Sequence, residues 1–118
     1  ISFDSQIYYV PFLPPYVRGY ANRHGTPFTV MDVQILFENS LLDSETLLIL
    51  NIPNEQLALL ISDVDEIIKV PESEVHSITS NDESSKYFSE SITVGDHETF
   101  VLYTATLLER LEHDIERI

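Results

Sequence analysis

A chain of 118 residues is enough for one domain, and at 43% hydrophobic residues it can build a core without staples. Twenty acidic against six basic side chains give a formal net charge of −14, which argues against nucleic acid and anionic lipid surfaces as partners. There is no cysteine, so disulfides, thiolate metal sites and cysteine nucleophiles are excluded, and no apolar run approaches the roughly 20 residues of a membrane span.

Residues 6–10 (QIYYV) are short and β-prone, after which Pro11, Pro14 and Pro15 impose an extended stretch without a ladder. Residues 16–21 (YVRGYA) read as a strand. Asn22-Arg23-His24-Gly25 reads as a turn, with Gly25 able to take positive φ. Residues 28–33 return as a strand, so the pair predicts a hairpin with a four-residue connection. Residues 34–37 predict one helical turn. Residues 38–45 are polar except for Leu41 and Leu42 and read as a loop.

Residues 46–52 and 56–62 are apolar runs separated by Pro53-Asn54-Glu55. Neither alternates, so both predict strands buried on both faces. Residues 63–70 continue extended up to Pro71. Residues 79–86 (TSNDESSK) form the most polar stretch and predict a surface loop. Residues 87–94 and 99–103, joined through Gly95-Asp96, predict a second hairpin. Leu107, Leu108, Leu111, Ile115 and Ile118 then recur at helical spacing, which predicts an amphipathic helix over residues 105–116. Arg110 and Asp114 are four apart on it and able to pair. A weak internal echo is visible: residues 16–37 and 87–111 both run aromatic, strand, glycine turn, strand, leucine-rich segment.

The chemistry-bearing residues are few. Arg18, Asn22, Arg23 and His24 combine charge and hydrogen-bonding capacity beside a turn, where side chains are accessible. Asp63, Asp65 and Glu66 form an acidic cluster that lacks the glycine and terminal glutamate of a calcium loop. His24, His76, His97 and His113 are scattered without metal-ligand spacing. There is no Gly-x-Ser-x-Gly elbow, and three glycines in all exclude a glycine-rich phosphate loop. The expectation is no catalysis, no cofactor and no metal.

The segment over residues 10–25, VPFLPPYVRGYANRHG, resembles the signature of CheW-like domains: a proline-rich approach, an aromatic, a basic residue, glycine, two apolar residues, asparagine, then arginine and glycine. Val30-Met31-Asp32 occupies the place of that family's apolar run closing on Ile-Asp. Residues 58–68, ALLISDVDEII, look like its apolar strand followed by Asp-x-Val-x-Glu-Val. The resemblance spans residues 10–111. It departs from the family at His24, where arginine is usual and Arg23 sits one place earlier, at Glu90, where glycine is usual, and at Thr104, where an aspartate has no match.

The resemblance implies an all-β fold with a short C-terminal helix, built as a pair of small SH3-like β-barrels in a single domain over residues 1–118. It implies a cytoplasmic, non-catalytic chemotaxis adaptor at receptor arrays. Its partners would be the regulatory domain of the histidine kinase CheA and the cytoplasmic tip of chemoreceptors. The partner-binding positions so implied are Arg18, Asn22, Arg23, His24, Asp63 and Glu66. The family's first strand pair precedes the proline-rich segment, so the expectation for a chain starting at Ile1 is an N-terminally shortened variant, with strand exchange or another homo-oligomer open to it. Two alternatives stay open: the regulatory domain of a larger kinase or scaffold, and a small β-barrel ligand carrier or enzyme. The last would need an enclosed pocket of convergent ionisable groups, which the sequence does not offer.

Overall fold

In a computed structural model, which describes residues 1–78 and 86–116, the first hairpin sets the frame of the N-terminal unit. It pairs β1 (Val17–Arg23) with β2 (Thr26–Met31). The connection is His24-Gly25 alone, two residues and not the expected four. Both take positive φ, +51° and +83°, the geometry whose twist matches that of the flanking strands. Because two residues complete the reversal, the ladder runs on through Asn22↔Pro27 and Arg23↔Thr26. Histidine is among the non-glycine residues that enter the left-handed region more readily.

After β2 the chain enters α1 (Val33–Glu38), then β3 (Thr46–Ile49) and β4 (Leu57–Ile61). β4 inserts beside β2 in parallel, giving the sheet order β1-β2-β4-β3. Parallel pairing needs a crossover, and α1 with β3 supplies it. The central position of β4 explains its uniform apolarity, since Leu57, Ala58, Leu59 and Leu60 are all buried. β3 lies at the edge of the sheet order, and only Leu47 of its four residues is buried. Burial on both faces thus holds for the second apolar run and not for the first.

The N-terminal segment meets both outer strands of this sheet. Ser2 exchanges backbone hydrogen bonds with Leu47 on β3 (both 2.8 Å), and Ser5 N–H donates to Glu45. Tyr8 exchanges them with Tyr20 on β1 (2.7 and 2.9 Å). Residues 2–8 therefore span from one edge of the sheet to the other by isolated bridges, not by a continuous ladder. Ile7 and Leu42, with Phe28 and Ile49, pack on the buried cluster of Ala21, Val30, Leu47, Ala58 and Leu60. Gly19 makes the approach of the segment possible. Its φ is +141°, and a Cβ there would be driven into the Tyr8 carbonyl.

The C-terminal unit, residues 66–117, has its own sheet, β5 (Val75–Ser77), β6 (Glu90–Val94) and β7 (His97–Val101), in that order and antiparallel. A 3-10 turn, Glu72–Glu74, leads into β5. Residues 63–70, expected to continue extended as a strand, carry no regular element. Most of the polar stretch 79–86 lies outside the described residues. Phe88 and Phe100 meet edge to face, with ring centroids 6.3 Å apart.

The chain ends in α2 (Thr104–Ile115), within one residue of the expected bounds. Leu107 and Leu111 are buried, Ile115 is partly exposed, and Ile118 lies outside the described residues. Arg110 and Asp114 pair at 2.7 Å. That hydrogen bond, and a longer one to the Tyr87 hydroxyl, hold the guanidinium above its usual range.

The internal echo is structural. β1-β2-α1 and β6-β7-α2 are both hairpins with two-residue turns followed by a helix. Asp32, the N-cap of α1, donates its N–H to the Tyr16 carbonyl, and Tyr103, the N-cap of α2, donates to that of Tyr87 (2.7 and 2.9 Å). These pairs correspond residue for residue.

Gly19→Ala tests the packing of the N-terminal segment. Urea unfolding is expected to show a loss of about 1 kcal/mol or more, and hydrogen exchange to show loss of protection at the Tyr8 and Tyr20 amides before that of β4.

Candidate functional site

The region around the first hairpin is organised by a carboxylate that the sequence reading had placed only in a family motif. Asp32 is fully buried. Its Oδ1 accepts from the backbone N–H groups of Gln34 and Ile35 (3.0 and 3.3 Å) and so caps the N-terminus of α1. Its Oδ2 accepts from Leu42 N–H (2.9 Å) and from Arg18 Nη1 (3.2 Å). Arg18 Nη1 also reaches the Leu42 carbonyl at 3.1 Å. A buried carboxylate is tolerated when its lone pairs are taken up in this way.

Arg18 reaches Asp32 through an irregularity in β1. Val17 pairs with Met31 and Gly19 with Val30, leaving Arg18 as the extra residue. Such a bulge re-aims a side chain. Its side chain keeps 31% exposure, so it is shared between an internal ion pair and the surface. The polar loop after α1 is fixed by the same network. Asn39 ends the helix in the left-handed conformation, and Gln34 Nε2 donates to Ser40 Oγ and the Leu41 carbonyl (both 3.1 Å).

The other hairpin residues are exposed. Arg23 and His24 line one open cavity of about 570 Å³ together with Phe28, Ile52, Glu55 and Gln56. Arg23 ends β1 and His24 opens the turn, and both residues border the same hollow. Glu55, which no sequence reading singled out, faces them there. Asn22 is exposed and does not line the cavity.

Asp63 does not line this cavity. Asp63 is exposed just past β4, where its Oδ1 accepts from Val64 N–H at 2.8 Å. It lines a separate groove beside α1. Glu66 is exposed and is the first residue of the C-terminal unit. Neither Asp63 nor Asp65 lies in a strand. Aromatic surface is concentrated elsewhere: Phe3, Tyr8, Tyr9 and Phe12 are each more than half exposed.

Sequence reasoning missed the central role of Asp32. An aspartate directly before a helical run is an N-cap signal, and that much was readable. Its bonds to Arg18 and Leu42 were not. No helix among the described residues is long and apolar enough to cross a membrane.

These roles separate experimentally. Asp32→Ala removes the cap of α1 and leaves the Leu42 amide without its acceptor, and is expected to cost about 2–4 kcal/mol in urea unfolding. Arg18→Ala, which strands the carboxylate, is expected to cost about 1–3 kcal/mol. Arg23→Ala is expected to stay within about 0.5 kcal/mol of wild type, as exposed substitutions do.

Comparison with known proteins agrees with this geometry. A family model described as CheW-like domain matches residues 1–112. Among solved structures, the scaffolding protein TtCheW from Thermoanaerobacter tengcongensis is similar, with a TM-score of 0.73 at 19% identity over 86% of this chain and 73% of that one. At that identity the likeness speaks for the fold. No curated protein sequence matches. The match over residues 1–112 takes in both sheets and most of α2, and the chain belongs to the CheW-like domain family.

Proposed function

We propose that this chain is a chemotaxis adaptor, coupling chemoreceptors to the histidine kinase CheA by protein–protein binding alone. The observation that carries the reading is the family match across both units. The surface suits it. Four exposed aromatics on the N-terminal segment are of the type enriched in the cores of protein interfaces. An acidic surface favours partners with basic patches and makes the encounter salt-dependent.

In this reading Asn22, Arg23 and His24 contact a partner directly from the hairpin tip. Arg18 presents the remaining guanidinium surface while its ion pair with Asp32 holds the strand behind them. Asp63, beside the groove next to α1, and Glu66, in the C-terminal unit, are the further contact positions in this reading. Two distinct surfaces engaging two proteins suffice for coupling, so the function requires neither a catalytic group nor a cofactor. The setting is cytoplasmic, at the receptor array, with the chain acting as one adaptor domain.

The test is a calorimetric titration against the regulatory domain of the cognate CheA and, separately, a soluble receptor-tip fragment. Saturable binding at about micromolar Kd or tighter is expected, weakened roughly tenfold by Arg23→Glu for one partner and not the other. Absence of binding to both by a folded chain would refute the adaptor reading and leave the family assignment standing.

A further inference from the structure

A second surface of the N-terminal unit has the form of a docking groove. It runs between α1 and the end of β4, encloses about 340 Å³, and has a floor of Val33, Phe37, Leu42, Leu60 and Ile61. Gln34, Ser62 and two exposed carboxylates, Glu38 and Asp63, complete its lining. Among the described residues, no lysine, arginine or histidine lines it.

The walls are held by hydrogen bonds within the N-terminal unit. The Asp32 carboxylate fixes both the start of α1 and Leu42, and Ser44 Oγ donates to the Ile61 carbonyl at 2.6 Å. The groove is therefore built before any partner arrives, which lowers the ordering cost of binding. Its Asp63 carboxylate is oriented by the Val64 N–H.

We infer that this groove seats an amphipathic protein segment that inserts a large apolar side chain onto Phe37 and Leu60 and sets lysine or arginine against Glu38 and Asp63. The apolar floor rewards burial of such a side chain. Two exposed carboxylates, with no cation among the described lining residues, select a basic flank, and an acidic flank would meet like charge there. This deepens the adaptor reading and rests on it, because it names the chemistry of one partner surface.

The probe is a synthetic helical peptide with a leucine stripe and lysines elsewhere, with an otherwise identical glutamate version as control. Each is titrated into the isotope-labelled chain and followed by amide chemical shifts. The expected result is saturable shifts centred on residues 33–42 and 60–63 for the lysine peptide and none for the glutamate peptide. Affinity should fall several-fold between about 50 and about 300 mM salt. It should fall about tenfold in the double variant Glu38→Lys with Asp63→Lys, and Phe37→Ser should weaken it as well, each variant first shown to keep the wild-type spectrum.

Glu72→Lys with Glu74→Lys is the charge-matched control and should leave binding unchanged. Shifts spread over the whole surface, or equal weakening by the control reversal, would overturn the proposal by showing attraction to net charge alone. Groove binding by the peptide in a chain that binds neither the kinase domain nor the receptor fragment would uphold the groove and remove the adaptor reading.

Discussion

Four donors converge on the carboxylate of Asp32, and the N-terminal unit is arranged around them. Two are amides of the first turn of α1, one is the amide of Leu42, and one is the guanidinium of Arg18. The group is removed from water entirely. Ionised and buried, it would be costly alone, and the cost of losing any one donor is correspondingly high. The network ties together three segments distant in sequence: the bulge in β1, the helix after β2 and the loop that leads into β3. The groove beside α1 and the hairpin that carries Arg23 and His24 are both attached to it.

A second constraint concerns the backbone. The N-terminal segment reaches from β3 to β1, and it reaches β1 only because Gly19 has no side chain. The equivalent place in the second hairpin holds Glu90, and the equivalent of the Asp32 cap is Tyr103, which makes no side-chain cap bond. The two hairpin–helix units share a plan, but the polar network and the close approach at the glycine belong to the first. The candidate contact residues Arg23 and His24 lie in that first unit, at the end of β1 and on the turn that follows it.

The acidic composition takes on meaning through where the carboxylates sit. Glu55 shares one hollow with Arg23 and His24, while Glu38 and Asp63 rim an apolar groove with no cation among its described lining residues. The first arrangement is balanced and the second is not. An adaptor needs surfaces that differ in this way, since two faces with the same charge pattern would not distinguish two partners.

The strand-rich class, both hairpins, the terminal helix and the Arg110–Asp114 pair were legible in the sequence, because each is set by local periodicity or by spacing of a few residues. The residue pattern VPFLPPYVRGYANRHG also sufficed to point to the CheW-like family. Three features were decided only in the tertiary structure. The parallel seat of β4 between β2 and β3 depends on a crossover that pairing propensities do not encode. The two-residue turn follows from His24 accepting positive φ, which moved Arg23 onto the strand and beside His24 over one cavity. Arg18, read as an interaction residue, is turned toward Asp32 by a bulge that places one extra residue in the ladder. In the last two cases a shift of one or two positions along the strand alters which side chains meet, and register is settled by packing across the sheet, not by the order of residues along the chain.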